Sequence, residues 1–332
     1  MSDTSAPVLS DQSTSGLFNY LEASVESSLY RNGKVLTRRD PDGSDAGWEG
    51  VFLETREMTV HNARRFKAGE RRTVVANGLE LLTRPLPDRG LDFLDQHQVV
   101  QKYYRQCAEI VQEATGARAF AFDHNVRSAS GQKSRLRISG GQQVQGPARV
   151  VHGDYTLTSA PQRLRDLTKP PTGNDTLRSV LSEGQSLISP DTAERALTGG
   201  GRFAIINVWR NIAKEPVATY PLALCDAQSV HPEDLVVFEI HYQDRIGENY
   251  FAKHSPRHRW FYYPDMTSDE ALLIKQWDSA GKLARSRGAE GDATEPQAPC
   301  TFSFHTAFDD PSTPPDAPDR WSIEVRCMVL YD

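Results

Sequence analysis

The stretch Ala148-Arg149-Val150-Val151-His152-Gly153-Asp154-Tyr155-Thr156-Leu157 decides the reading of this chain. It is an apolar run carrying an imidazole and a carboxylate two residues apart. Alternate side chains of a β-strand share a face. His152 and Asp154 can therefore grip one metal ion from a single strand, and Gly153 between them leaves room for a close neighbour. The spacing alone is weak, because nine histidines make a chance His-x-acid match unsurprising. His231-Pro232-Glu233 is a second copy, but Pro232 cannot donate to a central ladder and its neighbours read as a turn. His254-Ser255-Pro256-Arg257-His258 has a spacing suited to a metal-binding helix, which Pro256 and the flanking aromatic strands oppose. The plain alternative for His152 is a histidine paired with a neighbouring carboxylate.

A third ligand has a candidate in His305, within Thr301-Phe302-Ser303-Phe304-His305-Thr306-Ala307-Phe308. Phe302, Phe304 and Phe308 share one face, and Ser303 and His305 the other. A histidine on a Phe-lined strand is commonly just a satisfied core residue. Here the strongly apolar outer face points His305 toward a barrel lumen. Two imidazoles and one carboxylate form the facial triad of non-heme Fe(II) oxygenases, which leaves coordination positions open for substrates.

Arg320-Trp321-Ser322 opens the last strand. The planar guanidinium binds a carboxylate bidentately, and a hydroxyl on the same face adds a third bond. Such a pair suits the distal carboxylate of a co-substrate such as 2-oxoglutarate. Arg326 has the same parity and is the alternative anchor. The bland reading pairs these arginines with Asp319 or Glu324. Asn207, inside the apolar run Ile205 to Arg210, needs a partner, because burying an unpaired amide costs about 1–3 kcal/mol. That partner is either the co-substrate or neighbouring backbone. Arg210 similarly suits a substrate carboxylate or a structural acid.

The 332 residues carry a formal charge of −6. That mild acidity argues against nucleic acid as the main partner. No apolar run approaches the roughly 20 residues needed to span a bilayer, and no secretory pattern opens the chain. A cytoplasmic protein acting on a small molecule is expected, and a homodimer stays open. The first residues, through about Gly16, read as a disordered leader ahead of one domain over 17–332. Four cysteines without a CxxC pair read as free buried thiols.

Asp40-Pro41-Asp42-Gly43 is a turn signal, and Val51 to Leu53 and Arg72 to Val75 read as strands. Asp95 to Gly116 is the clearest helix, capped at both ends, with Val99, Val100, Tyr103, Cys107, Ile110, Val111 and Ala114 as its buried stripe. Ser128 to Gly146 is polar and glycine-rich and reads as a mobile loop. Ser189-Pro190 opens a short helix ending before Gly199. Strand follows strand from Arg202 to Tyr331. The fold class is α+β, mainly β: an antiparallel barrel or sandwich in the C-terminal half, with helices supplied mainly by the N-terminal half.

The order and wording of several segments resemble one family. They are Phe122 to Arg127, Val151 to Tyr155, Ile206 to Arg210, Pro221 to Asp226, His258 to Met266, Asp269 to Lys275, Phe304 to Phe308 and Arg320 to Arg326, spread over residues 55 to 331. The family includes the cephamycin methoxylation component, the aspergillic-acid-type hydroxylase/desaturase and gibberellin-desaturase-like fungal proteins. The resemblance implies an Fe(II)- and 2-oxoglutarate-dependent oxygenase that uses O2, on a double-stranded β-helix (jelly-roll, cupin-like) core in about 118–332. It implies metal binding by His152, Asp154 and His305, and 2-oxoglutarate binding by Arg320 with Ser322 or Arg326 assisting. Asn207 joins the co-substrate candidates. His124, Arg127, Tyr155 and Arg210 are the substrate-pocket candidates. Asn211 stands where the family usually has Pro, and Trp321 where an acid is common; neither touches the expected ligands. The implied reaction is hydroxylation, desaturation or oxidative cyclisation of a small secondary metabolite. A zinc hydrolase with the same triad and a non-catalytic cupin-like binding protein are the competing classes.

Overall fold

Two sheets carry the chain in a computed structural model that describes residues 13–39, 45–173, 175–198, 200–243, 245–292 and 298–331. In chain order the strands are β1 (Ser13–Leu21), β2 (Leu36–Arg39), β3 (Asp45–Glu49), β4 (Leu53–Asn62), β5 (Leu79–Thr83), β6 (Arg118–Arg127), β7 (His152–Gly153), β8 (Arg202–Asn211), β9 (Leu222–Cys225), β10 (Leu235–His241), β11 (Ile246–Ala252), β12 (Trp260–Tyr262), β13 (Glu270–Asp278), β14 (His305–Ala307) and β15 (Ser322–Tyr331). The larger sheet has the order β1-β4-β12-β9-β14-β7-β11-β10-β2-β3, and the smaller β5-β13-β8-β15-β6. The protein is mostly β, as expected.

The smaller sheet is antiparallel throughout. Its central strands are buried on both faces: every residue from Phe203 to Asn211 in β8 is buried. One face meets the long helix, and the other meets the larger sheet. That explains why β8 and β15 read as nearly continuous apolar runs rather than alternating ones.

The helix expected after Asp95 forms as one continuous run through Gln96–Gln98, a π turn at Val99–Tyr103, and Tyr104–Thr115. Asp95 accepts hydrogen bonds from the amides of His97 and Gln98 at 2.9 and 3.3 Å. Gly116 closes the helix at φ 68°, in the left-handed region that glycine enters without steric cost. Val99, Val100, Tyr103, Cys107, Ile110 and Val111 are buried as anticipated, and Ala114 packs at the edge of the core. The Pro190–Leu197 helix also forms, with Ser189 as its cap. All four cysteines are free and buried.

Several expectations fail. The supposed leader is a strand from Ser13, where β1 pairs with β4 from Ser13↔His61 to Leu21↔Leu53. Gly16 sits there because a Cβ would lie 2.4 Å from the Phe308 ring. Residues 1–12 and the Asp40–Gly43 turn lie outside the described residues. Arg72 to Val75 forms a turn region rather than a strand, and the strand assigned to Val51–Leu53 begins at Leu53 and runs to Asn62. The helices do fall mainly in the N-terminal half, at Gln96–Thr115, Ala129–Lys133 and Ser159–Asp166, with Pro190–Leu197 and Lys282–Arg285 beyond it. The Ser128–Gly146 loop is tied down. It holds a short helix, Ala129–Lys133, and Ser128 and Ser130 each donate to Asp319 Oδ2 at 2.6 Å.

Candidate metal centre

β7 and β14 are neighbours in the larger sheet, and His152 and His305 are Cα partners across them. Cross-strand partners share a face. The two rings meet at a centroid distance of 4.2 Å. Asp154 follows just after β7, and its Oδ1 lies 3.7 Å from His152 Nε2 and 3.8 Å from His305 Nε2. Donor atoms of the three residues all lie within 4.8 Å of one another. Gly153 has a packing reason: a Cβ there would come within 2.9 Å of the Phe302 ring.

The donor set suits a divalent metal. The short 2.8 Å contact between His152 Nδ1 and the Val150 carbonyl places the proton on Nδ1 and leaves the Nε2 lone pair for a metal. Burial, then His305, pushes the His152 imidazole down to about 4, so it is neutral. Burial likewise lowers His305. Burial alone would raise Asp154, but Arg326 and the two imidazoles hold its carboxyl below the usual range. The result is one carboxylate and two neutral imidazoles, the protonation states that ligation requires.

The smaller sheet orients Asp154. Asn207 on β8 and Arg326 on β15 are Cα partners. Asn207 Nδ2 donates to Asp154 Oδ2 at 3.0 Å, and Arg326 Nε donates to the same oxygen at 3.3 Å. Asp154 Oδ1 is thereby left facing the histidines. Arg326 Nη1 also pairs with Asp123 at 3.0 Å, and Asn207 Nδ2 also donates to Glu324 at 2.6 Å. The Asp154 amide donates to Gln276 Oε1 at 3.0 Å. Gln276 is a contact the sequence reading missed: a glutamine in an apolar strand was the available signal.

Arg320 is 2% exposed and forms no ion pair among the described residues. Its Nη1 donates to the Tyr220 carbonyl, and its guanidinium lies 5.8 Å from the Trp209 ring centre. Asp319 is taken by Ser128 and Ser130, and Glu324 by Asn207. Among the described residues, Asn207 Oδ1, Gln276 Nε2, His305 Nδ1, Arg320 Nε and Ser322 Oγ are buried and find no hydrogen-bond partner. Native proteins leave few such groups, and two of them, Arg320 Nε just before β15 and Ser322 Oγ at its start, are suited to a polar guest.

Two pocket candidates belong elsewhere. His124 and Arg210 point to the helix side of the smaller sheet, the wrong parity for the lumen. His124 Nδ1 meets Tyr104 Oη at 2.8 Å, and Arg210 Nε donates to Tyr103 Oη at 2.9 Å. Arg127 and Asn207 do share the lumen face with Ser322, Glu324 and Arg326. Tyr155 lies near Arg326 and Asp154, and burial pushes its phenol up to about 12.

A family profile described as "Oxidoreductase/YMDC permease-like domain" matches residues 18–330. An "Uncharacterized protein in dcmA 3'region" of Methylophilus leisingeri is 47% identical over 195 residues, covering 58% of this chain and 88% of that one. The Fe(II)/2-oxoglutarate-dependent dioxygenase nvfI of Aspergillus novofumigatus is 30% identical over 239 residues, covering 71% and 69%. The alpha-ketoglutarate-dependent dioxygenase tstK of Talaromyces stipitatus is 28% identical over 300 residues, covering 88% and 91%. A solved structure of the iron and alpha-ketoglutarate-dependent endoperoxidase NvfI superposes with a TM-score of 0.69 at 22% identity, over 96% of this chain and 97% of that one. The chain belongs to this oxidoreductase family and, with these relatives, to the Fe(II)/2-oxoglutarate-dependent dioxygenases. Despite the word permease in the family description, no helix among the described residues is long and apolar enough to cross a membrane.

Proposed function

We propose that His152 Nε2, Asp154 Oδ1 and His305 Nε2 hold Fe(II), and that Arg320 and Ser322 hold the distal carboxylate of 2-oxoglutarate. One observation carries the co-substrate assignment. Among the described residues Arg320 Nε and Ser322 Oγ are two buried donors without hydrogen-bond partners, just before and at the start of the strand whose Arg326 orients Asp154. A dianionic keto acid between the metal and Arg320 supplies the missing acceptors. Arg326 is committed to Asp154 and Asp123, which favours Arg320 as the anchor. When bound, Fe(II) supplies the redox chemistry that couples oxidative decarboxylation of 2-oxoglutarate to oxidation of a second substrate. The protein's share is placement: Arg326 and Asn207 fix the carboxylate ligand, and the buried walls exclude water.

The substrate is a small specialised metabolite, and the outcome is hydroxylation, desaturation or oxidative cyclisation. The two sheets, meeting at the triad, support a double-stranded β-helix within a single domain running from β1 through β15. A cytoplasmic location and action without nucleic acid or membrane complete the reading. A zinc hydrolase would use the triad to activate water, but it has no use for unpaired donors at Arg320 and Ser322.

The test is turnover. Metal-free protein should convert 2-oxoglutarate to succinate in air only when Fe(II) is added, and Zn(II) should not replace it. A colourless zinc form with hydrolytic activity and no interest in 2-oxoglutarate would overturn the proposal.

A further inference from the structure

The sheet face that carries the two histidines continues past the metal centre as a row of aromatic rings. Phe251 on β11 is the Cα partner of His152, and Val236 on β10 is the Cα partner of Phe251. Such partners share a face, and Phe238, two residues on from Val236, lies on it too. The Phe238 ring stacks on Phe251 at a centroid distance of 4.2 Å, with 8° between the planes. Trp48, on the edge strand β3, turns its ring back over both, 5.7 Å from Phe238 and 5.9 Å from Phe251. Phe238 and Phe251 are buried, whereas Trp48 is 44% exposed. A second ring stands on the same face. Trp48, Thr37, Ile240 and Gly247 are in register across β3, β2, β10 and β11. Gly247 leaves room for Tyr242, because a Cβ there would lie 3.2 Å from the Tyr242 ring, and Tyr242 is 36% exposed.

The ordinary use of such rings is a small core beneath a hairpin. Phe238 and Phe251 serve that use, with Leu21, Val25 and Val35 around them. Trp48 and Tyr242 do not, since each keeps ring surface in water, which is unfavourable. Two exposed rings on one face, one of them seated on a stacked aromatic base, are the makings of a binding surface for an apolar guest. What the surface adjoins decides the guest. Trp48 leans along the strands, from its own row toward the row that holds Phe251 and His152. Its ring therefore lies on the order of 10 Å from His152, one strand spacing plus one ring contact. A fused-ring molecule laid on Trp48 spans that distance and brings its far end to the metal centre.

We infer that Trp48 and Tyr242 form the seat for the body of the second substrate, a metabolite with a flat, apolar ring system whose reacting end reaches the metal. This rests on the reading that His152, Asp154 and His305 hold the metal of an oxygenase. The seat recognises ring shape and apolar surface, and it uses strands β2, β3, β10 and β11, apart from Arg320 and Ser322 on the smaller sheet's side.

The experiment is ligand-observed fluorine NMR on the full chain, with fluoroindole as a flat apolar probe. The site is loaded with Mn(II) or with diamagnetic Zn(II), and 2-oxoglutarate is present at saturation so that the probe cannot take its place. Wild-type protein should bind the probe, and Mn(II) should shorten its fluorine relaxation time relative to Zn(II), because the seat lies close to the metal. Trp48→Ser should weaken the probe roughly 3- to 10-fold, the value of a lost ring contact, and Trp48→Phe should restore most of the affinity. Tyr242→Ser should weaken it by a smaller factor, and it supplies the reading if Trp48→Ser fails to fold. Leu17→Ser, at an exposed apolar residue of β1, should change nothing. Probe affinity unaltered in the folded Trp48 and Tyr242 variants would overturn the inference. So would equal relaxation under Mn(II) and Zn(II), which would put the probe far from the metal, or a wild-type protein that ignores the probe. Wild-type protein that takes up neither metal would sink the metal-centre reading itself, a separate and recognisable failure.

Discussion

Arg326 Nε reaches Asp154 Oδ2 at 3.3 Å and so assigns the two carboxylate oxygens different tasks. Oδ2 belongs to the smaller sheet, through Arg326 and Asn207. Oδ1 faces the two histidines of the larger sheet. The candidate metal face is thus assembled across the junction of the sheets, and the paired Asn207 and Arg326 fix the Asp154 carboxylate.

Removing that support should loosen the metal. In Arg326→Gln, Mn(II) or Fe(II) affinity is expected to fall roughly 10- to 100-fold, the usual cost of losing an outer partner of a ligand. The 2-oxoglutarate affinity of the metal-saturated variant should change little. Metal titration followed by keto-acid titration checks both, and the reverse pattern would make Arg326 the anchor.

Ser322→Ala separates binding from folding. Ser322 Oγ makes no hydrogen bond among the described residues, so the substitution should leave the thermal midpoint unchanged or slightly raised. The 2-oxoglutarate affinity should fall roughly 2- to 10-fold, the value of one ordinary hydrogen bond. A lower melting temperature with unchanged affinity would assign the hydroxyl to folding.

Gly153 is set by packing as well as by the spacing of its neighbours. Gly153→Val drives a branched side chain into the Phe302 ring, which already lies 2.9 Å from an added Cβ. Overpacking of this kind costs about 1–3 kcal/mol. Because Gly153 joins two ligands, metal affinity should fall along with stability, as read by denaturation and metal titration of the same sample.

Away from the site, the buried Asp278 gives the fold an acid-sensitive joint. Lys275 Nζ lies 2.9 Å and Arg202 Nη2 2.7 Å from Asp278 Oδ2. Burial alone would raise this carboxyl, but Lys275 and Arg202 hold it below its ordinary value. Its folded pKa lies under the unfolded one, so its contribution is fully present above the unfolded value of about 3.9. That contribution disappears as pH falls through the folded value. Asp278→Asn should cost about 3–5 kcal/mol at pH 7, the range for breaking a buried pair. Urea midpoints at pH 7 and pH 3 should show the variant's deficit shrinking in acid.

The cluster of His152, Asp154 and His305 was legible because strand parity alone brings these side chains together. His152 and Asp154 share a face by alternation, and a Phe-lined outer face directs His305 inward. The lumen-side placement of Ser322 and Arg326 was legible for the same reason, since they differ by an even step. Parity alone failed for His124 and Arg210. Both faces of β6 and β8 are covered, one by the long helix and one by the lumen, so a polar residue does not announce which side it serves. The first strand was missed because its stability comes from a partner some forty residues away, at Leu53–Asn62, and from a glycine that lets Phe308 close in. The Ser128–Gly146 segment looked mobile by composition, yet its serines meet Asp319, a contact nearly two hundred residues distant that no local pattern encodes.

The central claim is that His152, Asp154 and His305 jointly hold one Fe(II) that binds 2-oxoglutarate. Anaerobic addition of Fe(II) and then 2-oxoglutarate, followed by visible absorption, tests it most directly. A weak charge-transfer band that needs both additions and is lost in His152→Ala and His305→Ala is the predicted result. A spectrum that stays blank in wild-type protein under saturating Fe(II) and keto acid, or a band that survives both substitutions, would contradict it.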